Sequence, residues 1–230
     1  MNWILSIETA TPVCSVCLSQ GTVVVASRET LTPQSHAAIL APFVQEVLQE
    51  AGILAAELDT VVISKGPGSY TGLRIGVSTA KGICYALDKP LVSVSTPRAM
   101  AYGAIQAHLG YYRYCPMIDA RRMEVYLAFY DNELHIDGGI EAKIIETGTL
   151  DAVLDKGKVL FFGDGAAKCK DILSKHPNAF FDTDFTPSAV HLARIGYERF
   201  LSGIREDVAY FEPFYLKDFI AGPPKVKGLF

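Results

Sequence analysis

The sequence predicts a mixed α/β protein built as two lobes on one plan. The first half opens with short β-rich runs and then alternates helices with strands. The second half repeats that order, a weak self-similarity at the scale of a lobe rather than a short repeat array. In each half a buried apolar strand breaks into a Gly-x-Gly turn that opens a helix: Val61–Ser64 into Gly66-Pro67-Gly68, and Lys158–Phe162 into Gly163-Asp164-Gly165. Half of the 230 residues are apolar and 20% are charged. A chain of that size and composition buries a substantial core.

The elements follow in order. Ile4–Glu8, Val13–Leu18 and Val23–Arg28 read as strands, the last two joined by the turn Ser19-Gln20-Gly21-Thr22. Thr32 is a predicted N-cap with Pro33 at the first helical position, and the helix runs to about Ala51, where Gly52 ends it. Val61–Ser64 is a strand, Gly72–Leu87 a helix, Leu91–Val94 a strand and Pro97–Leu109 a helix. The second half gives strands at Pro116–Ala120 and Glu124–Tyr130, weaker strand material through Thr147, and the buried strand Lys158–Phe162. Helices from Ala166 to about Lys175 and over Pro187–Leu201 close it. The lobe boundary is placed near His108–Tyr112, where Gly110 and a Tyr-rich stretch interrupt the helix.

Composition excludes several classes. A net charge of −4 does not suit a protein that grips nucleic acid by itself, which needs a basic face; Arg121-Arg122 and Lys225/Lys227 are the local exceptions. The N-terminus has no basic region ahead of its apolar run and no run reaches spanning length, so a cytoplasmic protein with no membrane contact is expected. The five cysteines are odd in number and scattered, as in a reducing compartment. Cys14-Ser15-Val16-Cys17 lies in a predicted strand, where an odd separation sends the two thiols to opposite faces. Small core residues are the reading there, not a zinc or redox pair.

The chemistry-bearing positions cluster at strand ends. A strand–Gly-rich turn–helix junction presents backbone N–H groups and a positive dipole end, so Lys65, Gly66, Gly68 and Ser69 are a candidate anion cradle. A tight turn with no ligand accounts for the same glycines equally. Glu8 and Asp119 end the opening strands of the two halves, and Asp164 lies in the second Gly-x-Gly turn. These carboxylates either face a cleft between lobes or are satisfied locally. Ser69 is in no Gly-x-Ser-x-Gly elbow, and the Gly-rich turn fits neither a Walker A nor a Rossmann spacing. His36, His108, His135, His176 and His191 contain no i, i+4 pair, so no metal centre is expected.

Two helices carry more apolar or small surface than one core requires. Ile39, Leu40, Ala41, Phe43, Val44, Val47, Leu48 and Ala51 cover about half of the first helix's circumference. Gly72, Gly76 and Ala80 recur at i+4 on the second and permit close approach. A small-residue stripe alone more often serves packing within one chain. The two features on consecutive helices together lead to the expectation of shared use at a subunit interface formed by His36, Leu40, Phe43, Val47, Gly72, Leu73, Gly76 and Ala80.

Four segments resemble the TsaB (YeaZ) family: Ile4-Leu5-Ser6-Ile7-Glu8-Thr9-Ala10-Thr11, Lys65 through Gly76, Val92-Ser93-Val94-Ser95-Thr96, and Asp119-Ala120-Arg121-Arg122-Met123-Glu124-Val125-Tyr126. The likeness fades after about Gly165. It implies the two-lobed actin-like, sugar-kinase and heat-shock-chaperone (ASKHA) fold, a duplicated RNase H-like α/β plan. Residues 1–108 would form the first lobe, onto which the C-terminal segment can pack back, residues 109–220 the second, and residues 221–230 a flexible tail.

The resemblance further implies a non-catalytic partner subunit in making N6-threonylcarbamoyladenosine on tRNA. Its expected partners are the metal-bearing paralogue TsaD, the ATPase TsaE and, indirectly, tRNA, with a homodimer when alone. No cofactor of its own is expected; ATP or ADP with Mg²⁺ at a subunit interface stays open, with Glu8, Thr9, Lys65, Gly66, Gly68, Ser69, Asp119 and Asp164 around the cleft. The paralogue's His-x-x-x-His pair aligns with Thr96 and Met100, neither a suitable ligand for such a metal. Glu8 stands where the family usually has Asp, and Pro97-Arg98-Ala99 where it commonly has Leu-Glu-Ala. The rival readings are a small-molecule kinase of the same fold, using the cleft carboxylates, and a peptidase acting on the paralogue through Ser69.

Overall fold

The computed structural model describes residues 2–31 and 36–217. In the first lobe, β1 (Trp3–Glu8), β2 (Cys14–Gln20) and β3 (Val23–Thr30) form an antiparallel meander. Helix α1 (His36–Ala51), β4 (Thr60–Ser64), α2 (Tyr70–Leu87), β5 (Leu91–Val94) and α3 (Thr96–Ala107) come next. The sheet order is β3-β2-β1-β4-β5, with β4 parallel to β1 and β5 parallel to β4. Both faces of its centre are covered, which is why β1 and β4 are buried nearly along their whole length rather than at alternate residues. Leu5, Ile7, Val61 and Ile63 pack towards α1 and α2, while Ile4, Val62, Val92 and Val94 form a core on the other face.

The second lobe repeats the plan. Its strands are β6 (Arg113–Asp119), β7 (Glu124–Tyr130) and β8 (Ile136–Ile144), then the one-turn helix α4 (Asp151–Leu154), β9 (Val159–Phe162), α5 (Ala166–Leu173), β10 (Ala179–Asp182) and α6 (Val190–Leu201). The order β10-β9-β6-β7-β8 reproduces the first sheet with the same pattern of parallel and antiparallel pairs. The pair α4 and β10 has no counterpart in the sequence reading; each is only four residues long.

One boundary needs correction. Helix α6 falls by sequence in the second half, yet it packs on β1, β4 and β5 of the first sheet. Gly196 permits this, because a Cβ there would lie 2.5 Å from Cγ2 of Val62. Residues 204–217 then run back along the first lobe, with Glu206 bridged to Leu91. The segment 109–220 is therefore no single unit: the second sheet and α5 form the second lobe, whereas α6 and residues 204–217 return to the first. Helix α3 lies between, with Ala99 in the core under α6 and Met100, Ala101 and Ala104 in the second lobe's.

The predicted N-cap Thr32 and first-turn Pro33 lie outside the described residues, as does the tail 221–230. Cys14 and Cys17 face opposite sides of β2: the first packs beneath α1 and α2, the second against Ala189 and Ala193. All five cysteines are free and buried.

Candidate functional site

The carboxyl ends of β1, β4, β6 and β9 converge between the lobes, the place where open α/β sheets collect ligands. Glu8 ends β1 and is 1% exposed. Its Oε1 accepts a hydrogen bond from the Ala10 N–H at 2.6 Å. Burial raises its carboxyl to about 7, only partly countered by the Ala10 amide, the Ser64 hydroxyl and the Thr9 amide.

The two residues after Glu8 account for the glycines beyond β4. A Cβ at Gly68 would meet the Ala10 carbonyl oxygen at 2.2 Å, and one at Gly72 the Thr9 carbonyl oxygen at 2.1 Å. At Gly76 it would meet the Thr9 hydroxyl, also at 2.1 Å. The turn after β1 is thus pressed against the first two turns of α2. The Ser69 N–H donates to the Ala10 carbonyl at 2.6 Å, and the Ser69 hydroxyl caps α2 by accepting from the Gly72 N–H at 3.2 Å. At these two amides the predicted anion cradle is filled by the chain's own atoms.

Gly66 has φ +103, and its N–H and carbonyl both bond to Thr96, at 3.2 Å and 3.0 Å. A Cβ there would lie 2.8 Å from the Phe214 carbonyl oxygen. Lys65 contributes its backbone, donating to Val94 and accepting from Phe214. Met100 is buried in the second lobe's core, its Cε 2.5 Å from where a Gly163 Cβ would stand. The two positions aligned with the paralogue's histidines therefore hold a turn and fill a core. Among the described residues no group of three or more His, Cys, Asp or Glu is placed to share a metal ion.

On the second-lobe side, Asp119 pairs with Lys168, whose ammonium also donates to the Glu124 carbonyl at 2.6 Å. Asp164 accepts from the Asp119 N–H at 3.2 Å. It reaches solvent on one side while protein surrounds the rest, and that desolvation raises its carboxyl, with the Asp119 charge adding to the effect. Asp164 in turn raises Glu8, so the lobes face each other through two carboxyls. The structure brings Glu8, Thr9, Gly66, Gly68, Ser69, Asp119 and Asp164 to one region, where Glu8 pairs with Ala10, Ser69 with Ala10 and Asp119 with Lys168, while the buried Thr9 hydroxyl has no hydrogen-bond partner among the described residues.

The predicted interface residues need correction. Leu40, Val47, Leu73 and Ala80 are at most 1% exposed and lie within this chain's own core. Gly72 and Gly76 face Thr9, and Phe43 packs against the same core. His36 places Nε2 2.9 Å from the Thr11 carbonyl, donating to it and tying α1 to the turn after β1. The outward face consists instead of Ala37, Ala38 and Ala41 on α1 and Arg74 and Ser78 on α2, all exposed. Between the helices Ala37, Ala41 and Ser78, with Leu40, Arg74, Ile75 and Thr79, line a shallow groove. The sequence signal for it is the set of alanines one helical turn apart, which the bulkier apolar residues beside them obscure.

Two five-stranded sheets of identical order, meeting at their strand ends, define a two-lobed protein of the actin, sugar-kinase and heat-shock-chaperone class. The activator of 2-hydroxyisocaproyl-CoA dehydratase from Clostridium difficile shares this fold at TM-score 0.53 and 7% identity, over 87% of this chain and 96% of its own. A family model described as TsaD, tRNA N6-adenosine threonylcarbamoyltransferase, matches residues 25–221. The tRNA threonylcarbamoyladenosine biosynthesis protein TsaB of Escherichia coli (strain K12) is 32% identical over 95% of this chain and 96% of its own length. YeaZ from Pseudomonas aeruginosa superposes at TM-score 0.80 with 26% identity, over 94% of this chain and all of that one. The chain belongs to the TsaB family. No helix among the described residues is long and apolar enough to cross a membrane.

Proposed function

We propose that this chain is a non-catalytic partner subunit in N6-threonylcarbamoyladenosine modification of tRNA, and that it binds and activates a metal-bearing TsaD-type paralogue. One observation carries the reading: the turn after β1 is pressed onto Gly68, Gly72 and Gly76 and takes the Ser69 amide, while α1 and α2 leave a groove outward. The family supports the pathway, and the groove supports a docking face on α1 and α2. Small side chains let two helices of a partner approach closely, and Arg74 and Ser78 at the rim supply polar register.

The contribution of such a subunit is differential binding: it stabilises the lobe arrangement of its partner in which transfer proceeds. A TsaE-type ATPase joins the pair, tRNA is met through the partner, and alone the chain forms a homodimer through the same face. The site is cytoplasmic. The cleft does not fit nucleotide phosphate at the Gly66–Gly68 turn, because the Ala10 carbonyl occupies the Ser69 amide and Asp119 already holds Lys168. This chain has no cofactor of its own; ATP or ADP with Mg²⁺ binds where the partner completes a site.

The test is reconstitution. Ala41→Arg with Ser78→Arg should abolish co-purification with the TsaD-type protein and reduce threonylcarbamoyl transfer to its background, while the thermal midpoint stays unchanged. Turnover of ATP with a small alcohol by the isolated chain would contradict the reading in favour of a kinase. Cleavage of the paralogue, lost in Ser69→Ala, would contradict it in favour of a peptidase.

A further inference from the structure

After α6 the chain does not simply end on its own lobe. Glu206 bonds to Leu91 through its N–H and to the Ser93 hydroxyl through its carboxylate. Lys81 on α2 donates to the carbonyls of Ala209 and Phe211 at 3.1 Å and 2.9 Å. Phe211 is 9% exposed and belongs to the first lobe's core. The Phe214 N–H donates to the Lys65 carbonyl at 2.7 Å, and the Tyr215 ring packs on Tyr70 at 5.0 Å between centroids. Two residues later Lys217 pairs with Glu124 at the start of β7 in the other lobe.

The attachment is asymmetric. On the first lobe the segment is held by a buried aromatic, backbone hydrogen bonds and two carbonyls gripped by one lysine. On the second it is held by a partly exposed ion pair, a kind of contact of small individual strength. Its landing point is part of the cleft network, since the Glu124 carbonyl accepts from Lys168, the partner of Asp119. Its path crosses the Gly66 turn at the other rim. A firm anchor on one body and a weak catch on the other is the arrangement of a latch.

We propose that residues 204–217 are an interlobe latch: anchored on the first lobe, they cross the mouth of the cleft and hold the second lobe through Lys217 and Glu124. Release of that catch frees the lobes to separate while the first-lobe anchor stays in place. Opening then loosens the Gly66 turn and the start of β7 together, because the latch touches Gly66 through Phe214 and Glu124 through Lys217, and the Glu124 carbonyl accepts from Lys168.

Hydrogen exchange of the full chain, read by mass spectrometry, tests this. Lys217→Glu should speed exchange by about fivefold in both Lys65–Tyr70 and Asp119–Glu124, leaving the interiors of β1 and β6 unchanged. Lys217→Arg should exchange like the unaltered chain. A chain ending at Pro213 keeps Phe211 and should open both segments further, whereas one ending at Lys217 should match the full chain. Unchanged exchange in Lys217→Glu, faster exchange in only one lobe, or equal opening of the two truncated chains would each overturn the proposal.

Discussion

Glu8 is the residue at which burial and ionisation conflict most openly. Its carboxyl rises from 4.5 to about 7 because the folded chain removes it from water. The folded state therefore holds this proton more tightly than the unfolded one. The stability it contributes is complete below about pH 4.5 and declines as pH rises through 7. That rise of the carboxyl corresponds to roughly 3 kcal/mol. Urea unfolding from pH 5 to 8.5 should show Glu8→Gln gaining on the unaltered chain as pH rises; a constant difference would contradict this account. The fate of this carboxyl was not legible from sequence, which shows a carboxylate at a strand end and not whether two amides and a hydroxyl enclose it. Gly72 gives a second test. Alanine there would drive a Cβ to 2.1 Å from the Thr9 carbonyl, a backbone atom that cannot swing aside. Gly72→Ala should lower stability by about 1–3 kcal/mol, visible as a lower denaturation midpoint at unchanged slope.

Strands and long helices were readable at the scale of elements because periodicity and punctuation agree. Glu124–Tyr130 and Leu91–Val94 match the sequence reading end for end, each bounded by turn or capping residues. What periodicity withholds is the neighbour against which a stripe packs. Gly72, Gly76 and Ala80 announce a close approach, but Thr9, some sixty residues earlier, makes it at the two glycines, and Ala80 lies in the first lobe's core. Leu40 belongs to a stripe of the same ambiguity and is core. The consequence is measurable: Leu40→Asp places a carboxylate in a sealed apolar site and should unfold the chain at neutral pH by circular dichroism. Ala41→Arg, one position on and exposed, should leave the spectrum and midpoint intact.

The duplicated plan of the whole molecule was legible because each half carries its own strand, Gly-x-Gly turn and helix. The crossing of the chain between lobes was not. The apolar stripe of α6, through Leu192 and Ile195, is equally suited to either sheet, and only Gly196 against Val62 shows which. The resemblance carried the functional reading further than the residues could, because a turn packed onto its own Gly-rich loop has no signature in sequence. A two-lobed fold of this class ordinarily offers its cleft to a ligand; here the turn after β1 is pressed onto Gly68, Gly72 and Gly76, and the Ala10 carbonyl takes the Ser69 amide. The proposed docking face is therefore the outer face of α1 and α2. Sedimentation of the purified chain mixed with its TsaD-type paralogue measures this most directly. The unaltered chain should form a heterodimer and the Ala41→Arg, Ser78→Arg chain should sediment apart from the paralogue. A doubly substituted chain that still joins the paralogue with undiminished affinity would contradict the account.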